Sequence, residues 1–224
     1  GGAGGGSGAG KSCVILVNSL DSERATVDGL FNLFSMCGVI SRVKILYNKR
    51  DSAMVMFETP EHAENARLTL SGVPLWGNTV LVSNSKHQVI QANRSDLDDT
   101  DTGEKLFGEF TTSPLQRYRG ASARNVPSIE PTKLLHVSNI PTQATEDDVK
   151  GVFESTWPVS KLKFISPPAR DGDKGGPAKD RKMALVELSG VEAAAEAICA
   201  THGATLHGST LRVTFSTSNL DGAR

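Results

Sequence analysis

Aromatic residues make up only 5% of this 224-residue chain, and neither sign of charge dominates it: the formal net charge is −1. Near neutrality argues against a protein that coats nucleic acid through a global basic field and counter-ion release. It leaves open a module that reads single strands by stacking and edge contacts, which needs only local positive charge. Cysteine is scarce too. Cys13, Cys37 and Cys199 are an odd number, widely spaced and each inside an apolar stretch, a pattern of reduced core thiols rather than of a disulfide framework. There is no CxxC and no HExxH, and the five histidines have no metal-ligand spacing with the cysteines, so neither a metal nor another cofactor is expected. His62 is expected on a helix surface, and His202 and His207 in an exposed loop. No charged segment followed by an apolar one opens the chain, and no apolar run approaches membrane-spanning length; neither a secretory signal nor a transmembrane helix is expected.

What the chain does have is a repeated order of short elements. Residues 1–10 are almost pure glycine with Ala and Ser, a flexible tail by composition. Cys13–Val17 is short, apolar and β-branched and breaks at Asn18-Ser19, as a buried strand would. Thr26 can cap a helix with Val27, Leu30, Phe31 and Phe34 on one face, ended by Gly38. Val39–Tyr47 predicts a second strand, Asn48–Asp51 a basic loop and Ala53–Phe57 a third strand. Thr59-Pro60 opens a helix with Ala63, Ala66 and Leu70 inward, since proline suits the first helical position. Val80–Ser83 closes a β-α-β-β-α-β unit.

The same order returns in Leu134–Ser138, a helix capped by Thr145 with Asp148 three residues on, Lys161–Ile165, Met183–Leu188, Val191–Ala200 and Leu211–Phe215. From the start of the third strand to the centre of the fourth is 29 residues in both halves, Ser52 to Leu81 and Met183 to Arg212. The longer interval from His136 to Met183 is accounted for by a single insertion, the Pro/Gly/Lys/Asp-rich stretch Ser166–Asp180. The chain therefore divides into a tail (1–11), a first unit (12–91), a linker (92–131) and a second unit (132–220). Each unit is an α/β (α+β) sandwich of ferredoxin-like type, a four-stranded antiparallel sheet backed by two helices. The linker carries an acidic run from Asp96 to Glu104 and then spaced arginines. Phe107, Phe110, Leu115 and Tyr118 are too apolar for a free tether, so part of it is expected to pack on a unit.

One sharp motif is set aside. Gly5 to Ser12 satisfies the phosphate-loop pattern GxxxxGK[ST]. That loop works between a preceding strand and a following helix, whose amides and dipole converge on phosphate. This sequence has only Gly1-Gly2-Ala3-Gly4 before it, and a strand follows. In so glycine-rich a tract the pattern arises cheaply, and no enzyme activity is expected.

With Ile15–Leu20 in strand one and Arg50–Phe57 in strand three, each unit resembles the RNA recognition motif. The solvent-facing aromatics of the generic motif are missing: Leu16 and His136 hold the strand-one slot, Ser52 with Met54 and Met183 with Leu185 the strand-three slots. Aromatic-poor sheets of this kind resemble the polypyrimidine-tract-binding proteins (heterogeneous nuclear ribonucleoprotein I), in particular their third and fourth domains. The likeness is carried by Arg42-Val43-Lys44-Ile45-Leu46-Tyr47-Asn48-Lys49, Ser85-Lys86-His87-Gln88, Ser113-Pro114-Leu115-Gln116-Arg117-Tyr118, His136-Val137-Ser138-Asn139-Ile140-Pro141 and Asp180-Arg181-Lys182-Met183-Ala184-Leu185.

The resemblance implies two domains packed back to back through helices and linker, each sheet binding a short pyrimidine-rich (CU-rich) single-stranded RNA, so that one RNA must loop to reach both. Leu16, Lys44, Tyr47, Met54, Leu81 and Ser83 would line the first sheet, with Lys86 and His87 contacting bases just past strand four. His136, Lys163, Ile165, Met183, Leu185, Arg212, Thr214 and Ser216 would line the second. Leu81 stands where the family commonly has a basic residue. The implied role is regulation of pre-mRNA splicing or mRNA stability by a monomer in the nucleus, shuttling to the cytoplasm, with other processing proteins on the helical faces and no membrane. The alternative is a module that docks proteins on the same sheets or helices without touching RNA.

Overall fold

The computed structural model describes residues 12–92, 103–165, 181–218 and 220. The glycine tail, residues 5–11 of the phosphate-loop pattern, most of the acidic run and the Ser166–Asp180 insertion lie outside the described residues. In the first unit the elements are β1 (Val14–Asn18), α1 (Val27–Phe34), β2 (Ile40–Leu46), β3 (Lys49–Phe57), α2 (Pro60–Leu70), the two-residue pair β4 (Pro74–Leu75) and β5 (Asn78–Thr79), β6 (Leu81–Asn84) and β7 (Phe107–Glu109). The second holds β8 (Leu134–Pro141), α3 (Glu146–Gly151), β9 (Lys161–Ile165), β10 (Arg181–Glu187), α4 (Val191–Thr201), the pair β11 (Thr205–Leu206) and β12 (Ser209–Thr210), and β13 (Arg212–Phe215). Strands β2 and β3 meet in a tight turn at Tyr47-Asn48, so the segment read as a basic loop is largely strand.

Three helices start on a threonine whose hydroxyl takes up an orphan amide: Thr26 from Gly29 N at 3.0 Å, Thr59 from His62 N at 3.3 Å and Thr145 from Asp148 N at 3.1 Å. At Thr145 the Asp148 carboxylate answers by accepting from the Thr145 amide at 2.8 Å, and these bonds hold its pKa down to about 2. Apolar faces of α1 and α2 and of β1, β2 and β3 close the first core around Phe31, Phe34 and Phe57.

Sheet order is β6-β1-β3-β2-β7 in the first unit and β13-β8-β10-β9 in the second, with antiparallel pairing throughout. The fifth strand, β7, belongs to the stretch read as linker. Glycine at 108 is what allows it, because a Cβ there would stand 2.5 Å from Val27 Cγ1. Beyond it Phe110 stacks on Phe31, ring centroids 4.1 Å apart.

The two units share one contiguous apolar core. Helix α1 packs on α4, and Asn32 Nδ2 donates to the Cys199 carbonyl at 2.8 Å. The Glu196 carboxylate accepts from the Trp76 amide at 3.1 Å and from the Trp157 indole at 3.0 Å, bridging the units. The buried Gln116 side chain accepts from Ile40 N and donates to the Phe110 carbonyl. Next to it Arg117 donates to the Asn32 carbonyl at 2.7 Å and to His202 Nδ1 at 2.5 Å.

Two histidines therefore stand where they were not expected. His202 is 2% exposed because Leu115 and Arg117 cover it, and burial, then the Arg117 charge, hold its pKa down to about 3. Val213 N also donates to Nδ1, so the neutral ring carries its proton on Nε2 and gives it to the Leu115 carbonyl at 3.0 Å. Arg117 is itself lowered to about 9 by burial, which still leaves it charged at neutral pH. His62 is buried as well, its Nε2 2.8 Å from the Ala123 carbonyl of the linker. Cys37 and Cys199 are buried free thiols, and burial raises both, Cys37 to about 12, so neither is a nucleophile.

Candidate nucleic-acid interface

Side chains alternate across a strand, and in β1 the inward set is Ile15 and Val17, both in the core. Leu16 therefore faces outward. Registers place Ser83, Leu16, Met54, Lys44 and Phe107 side by side on five neighbouring strands. The repeat builds the same row again: Thr214, His136, Leu185 and Lys163 on β13, β8, β10 and β9. Eight of the residues expected from sequence thus fall into two matching rows, one on the outer face of each sheet.

Others flank these rows. Leu81 is 53% exposed one step along β6, and Tyr47 is 45% exposed at the β2–β3 turn. Arg212 pairs with Ser138, and Met183 with Ile165, in the corresponding place of the second sheet. Lys86 and His87 are exposed on the segment after β6, not on the sheet.

The faces differ in access. On the first, Leu16, Met54 and Lys44 are half-buried and Ser83 is open. On the second, Leu185 is 3% exposed and Ser216 6%, and burial lowers the His136 pKa, keeping its imidazole neutral. The Thr214 hydroxyl is buried with no hydrogen-bond partner among the described residues. Arg212 turns its guanidinium to the linker carbonyls of Gln116 and Pro114, at 3.0 and 3.1 Å. A cavity of about 520 Å³ lies between α2 and the linker beside His62, Asn65 and Arg124, away from both faces.

Phe107 is the residue that sequence reading missed. Gly108 faces the core with Val43, so Phe107 points outward beside Lys44 and supplies an aromatic to a face thought to have only Tyr47. The pattern Leu106, Gly108, Phe110 inward against Phe107, Glu109 outward is a strand alternation that could have revealed it. Among the described residues no cluster of three His, Cys, Asp or Glu could hold a metal, and no helix is long and apolar enough to cross a membrane.

Two β-α-β-β-α-β sandwiches with matching outward rows define a class, and the sequence profile of the RNA recognition motif (RRM, RBD or RNP domain) matches residues 1–113. The chain belongs to the RNA recognition motif family. Within that class it is similar to polypyrimidine tract-binding protein homolog 3 of Arabidopsis thaliana, 32% identical over 205 residues that make up 91% of this chain and 42% of that protein. The chain thus spans less than half the length of this relative. Solved structures similar to it include the Sxl-lethal protein/RNA complex, at 19% identity and a TM-score of 0.31 over 92% of this chain and 99% of that one. The first two RRM domains of yeast poly(U) binding protein give 18% and 0.29 over the same shares.

Proposed function

We propose that the two outer sheet faces bind pyrimidine-rich, CU-rich single-stranded RNA and act together on one strand. The observation that carries this reading is the pair of matching rows, Ser83–Leu16–Met54–Lys44–Phe107 and Thr214–His136–Leu185–Lys163, the first setting an apolar platform beside a hydroxyl and a lysine, the second an imidazole beside the buried Leu185 and a lysine. The relative's name, a polypyrimidine tract-binding protein, supports the pyrimidine preference. Stacking on an aromatic contributes about 1–3 kcal/mol per base. Leucine and methionine give less, so each face binds weakly and useful affinity comes from linking the two. With α1 packed on α4, the outer faces turn away from each other and an RNA that reaches both must loop. In this reading the protein regulates pre-mRNA splicing or mRNA stability in the nucleus, with other processing proteins free to use the remaining helical surface.

The test is a mobility-shift comparison of CU-rich and purine-rich oligomers of equal length at two salt concentrations. The CU-rich oligomer should bind at least about tenfold tighter, with a shallow salt slope because few cations line the faces. Failure of both oligomers to bind would favour protein docking instead.

A further inference from the structure

The two outer faces meet the linker at their edges. Strand β7 is an edge of the first sheet, and the chain leaves it at Glu109. Strand β13 is an edge of the second, and Arg212 opens it. Between them lies one turned segment, in which Phe110 N donates to the Ser41 carbonyl at 2.8 Å, Ser113 N to the Phe110 carbonyl at 2.8 Å and Gln116 N to the Ser113 carbonyl at 3.2 Å. Gln116 ties both sheets to it: its side chain accepts from Ile40 N at 3.3 Å, and its carbonyl accepts from Arg212 Nη1 at 3.0 Å. From Glu109 to Gln116 the chain can span at most about 25 Å, so the two edges are neighbours. This segment is basic. Arg212 Nη2 donates to the Pro114 carbonyl at 3.1 Å and Arg119 Nη2 to the Ser113 carbonyl, so two guanidiniums converge on adjacent peptides. Among the described residues neither forms an ion pair with a carboxylate. The buried Arg117 adds a third positive charge, close enough to Arg212 for the two to repel. Thr111, Thr112, Pro114 and Arg119 are exposed. The other seam between the units has the opposite sign. Where the Trp76 hairpin meets α4, Glu192 accepts from Gly77 N and Glu196 from Trp76 N, and Arg24 beside them is paired with Asp21 at 3.1 Å.

We propose that Phe110–Arg119 is the saddle over which an RNA bound to both faces passes from the first sheet to the second, its backbone phosphates held by Arg119 and Arg212. The inference rests on the RNA-binding reading and adds to it the route of the strand between its two sites. The partners of both guanidiniums are neutral carbonyls, which leave the positive charge uncancelled. A guanidinium carries five N–H donors, and the carbonyl bonds take one from Arg119 and two from Arg212. Each therefore keeps donors for a charge-assisted bond to a phosphate oxygen while it goes on holding the turn. A strand crossing the other seam would bring its phosphates to Glu192 and Glu196, against like charge. Contacts to phosphate carry no sequence information, so the saddle accepts a spacer of any base sequence.

The experiment measures affinity of the full chain for two CU tracts joined either by ribonucleotides or by an uncharged polyethylene glycol chain of equal contour length, at several salt concentrations. The ribonucleotide spacer should bind about fivefold tighter, the return of two exposed ion pairs. Its salt slope should be steeper by about one to two. Arg119→Ala should remove most of that difference without changing the affinity for a single tract, and Arg119→Lys should keep more of it. Arg124→Ala takes the same charge from the linker beside α2 and should keep the whole difference. An effect of net charge alone would move the two alanine variants alike. If wild type binds both spacers equally, or if Arg119→Ala and Arg124→Ala narrow the difference equally, the saddle is overturned while the RNA-binding reading stands. If not even a single tract binds, that reading falls and the saddle with it.

Discussion

Individual side chains on the outer faces decide how this protein would hold a base. Tyr47 is 45% exposed at the end of the first face and has no core to support, while Leu16 sits within the row between Ser83 and Met54. Tyr47→Ala should weaken binding of a CU-rich oligonucleotide by about tenfold, the lower part of the range for one stacked base, and Leu16→Ser by somewhat less. Neither should change the thermal midpoint by more than a few degrees. Unchanged affinity in both would remove the first face from the site. Residues of this kind were named on the family resemblance, and the alternation of β1 agrees with it on the side to which Leu16 points. Phe107 was passed over although Leu106, Gly108 and Phe110 alternate with it, because the inward glycine does not register as an apolar position. The burial of His62 and His202 was hidden for another reason: what covers them is linker, distant in sequence, and a local pattern carries no trace of it.

At the scale of elements, the capping threonines and apolar periodicities marked α1, α2, α3 and most strands, because those signals are local. The fifth strand depends on a sheet edge already in place and on the missing Cβ of Gly108. The end of α4 shows what tertiary contact adds. There His202 is sealed by the linker, and its pKa in the folded chain, about 3, lies well below the usual 6.5. Below pH 6.5 the unfolded chain takes up a proton that the folded chain refuses until about pH 3. The stabilisation is therefore complete above pH 6.5 and is lost as the pH falls toward 3, at about 1.4 kcal/mol per pH unit. Urea denaturation at pH 7 and pH 5.5 should show a loss of about 1–2 kcal/mol. His202→Gln should lose distinctly less over the same interval; an equal loss would mean that other groups carry the acid sensitivity.

For the whole molecule, the repeat and its constant spacing announced two sandwiches, and the low aromatic content is the ground for proposing that each face binds weakly. The shared core, with α1 on α4 and Arg117 bonded to Asn32 and His202, gives those weak faces a fixed relation. That relation came from linker residues whose sequence is neither clearly strand nor clearly helix, so it could not be read from periodicity. Under the proposed RNA-binding reading, two faces turned apart cannot share a short RNA. The most direct measurement is the affinity of the chain for RNAs carrying two CU tracts joined by spacers of increasing length. A short spacer should give the affinity of a single tract. Beyond a threshold length, affinity should rise by about a hundredfold as the second face engages at high effective concentration. Affinity indifferent to spacer length, or highest with no spacer, would contradict joint action of the two faces on one looped strand.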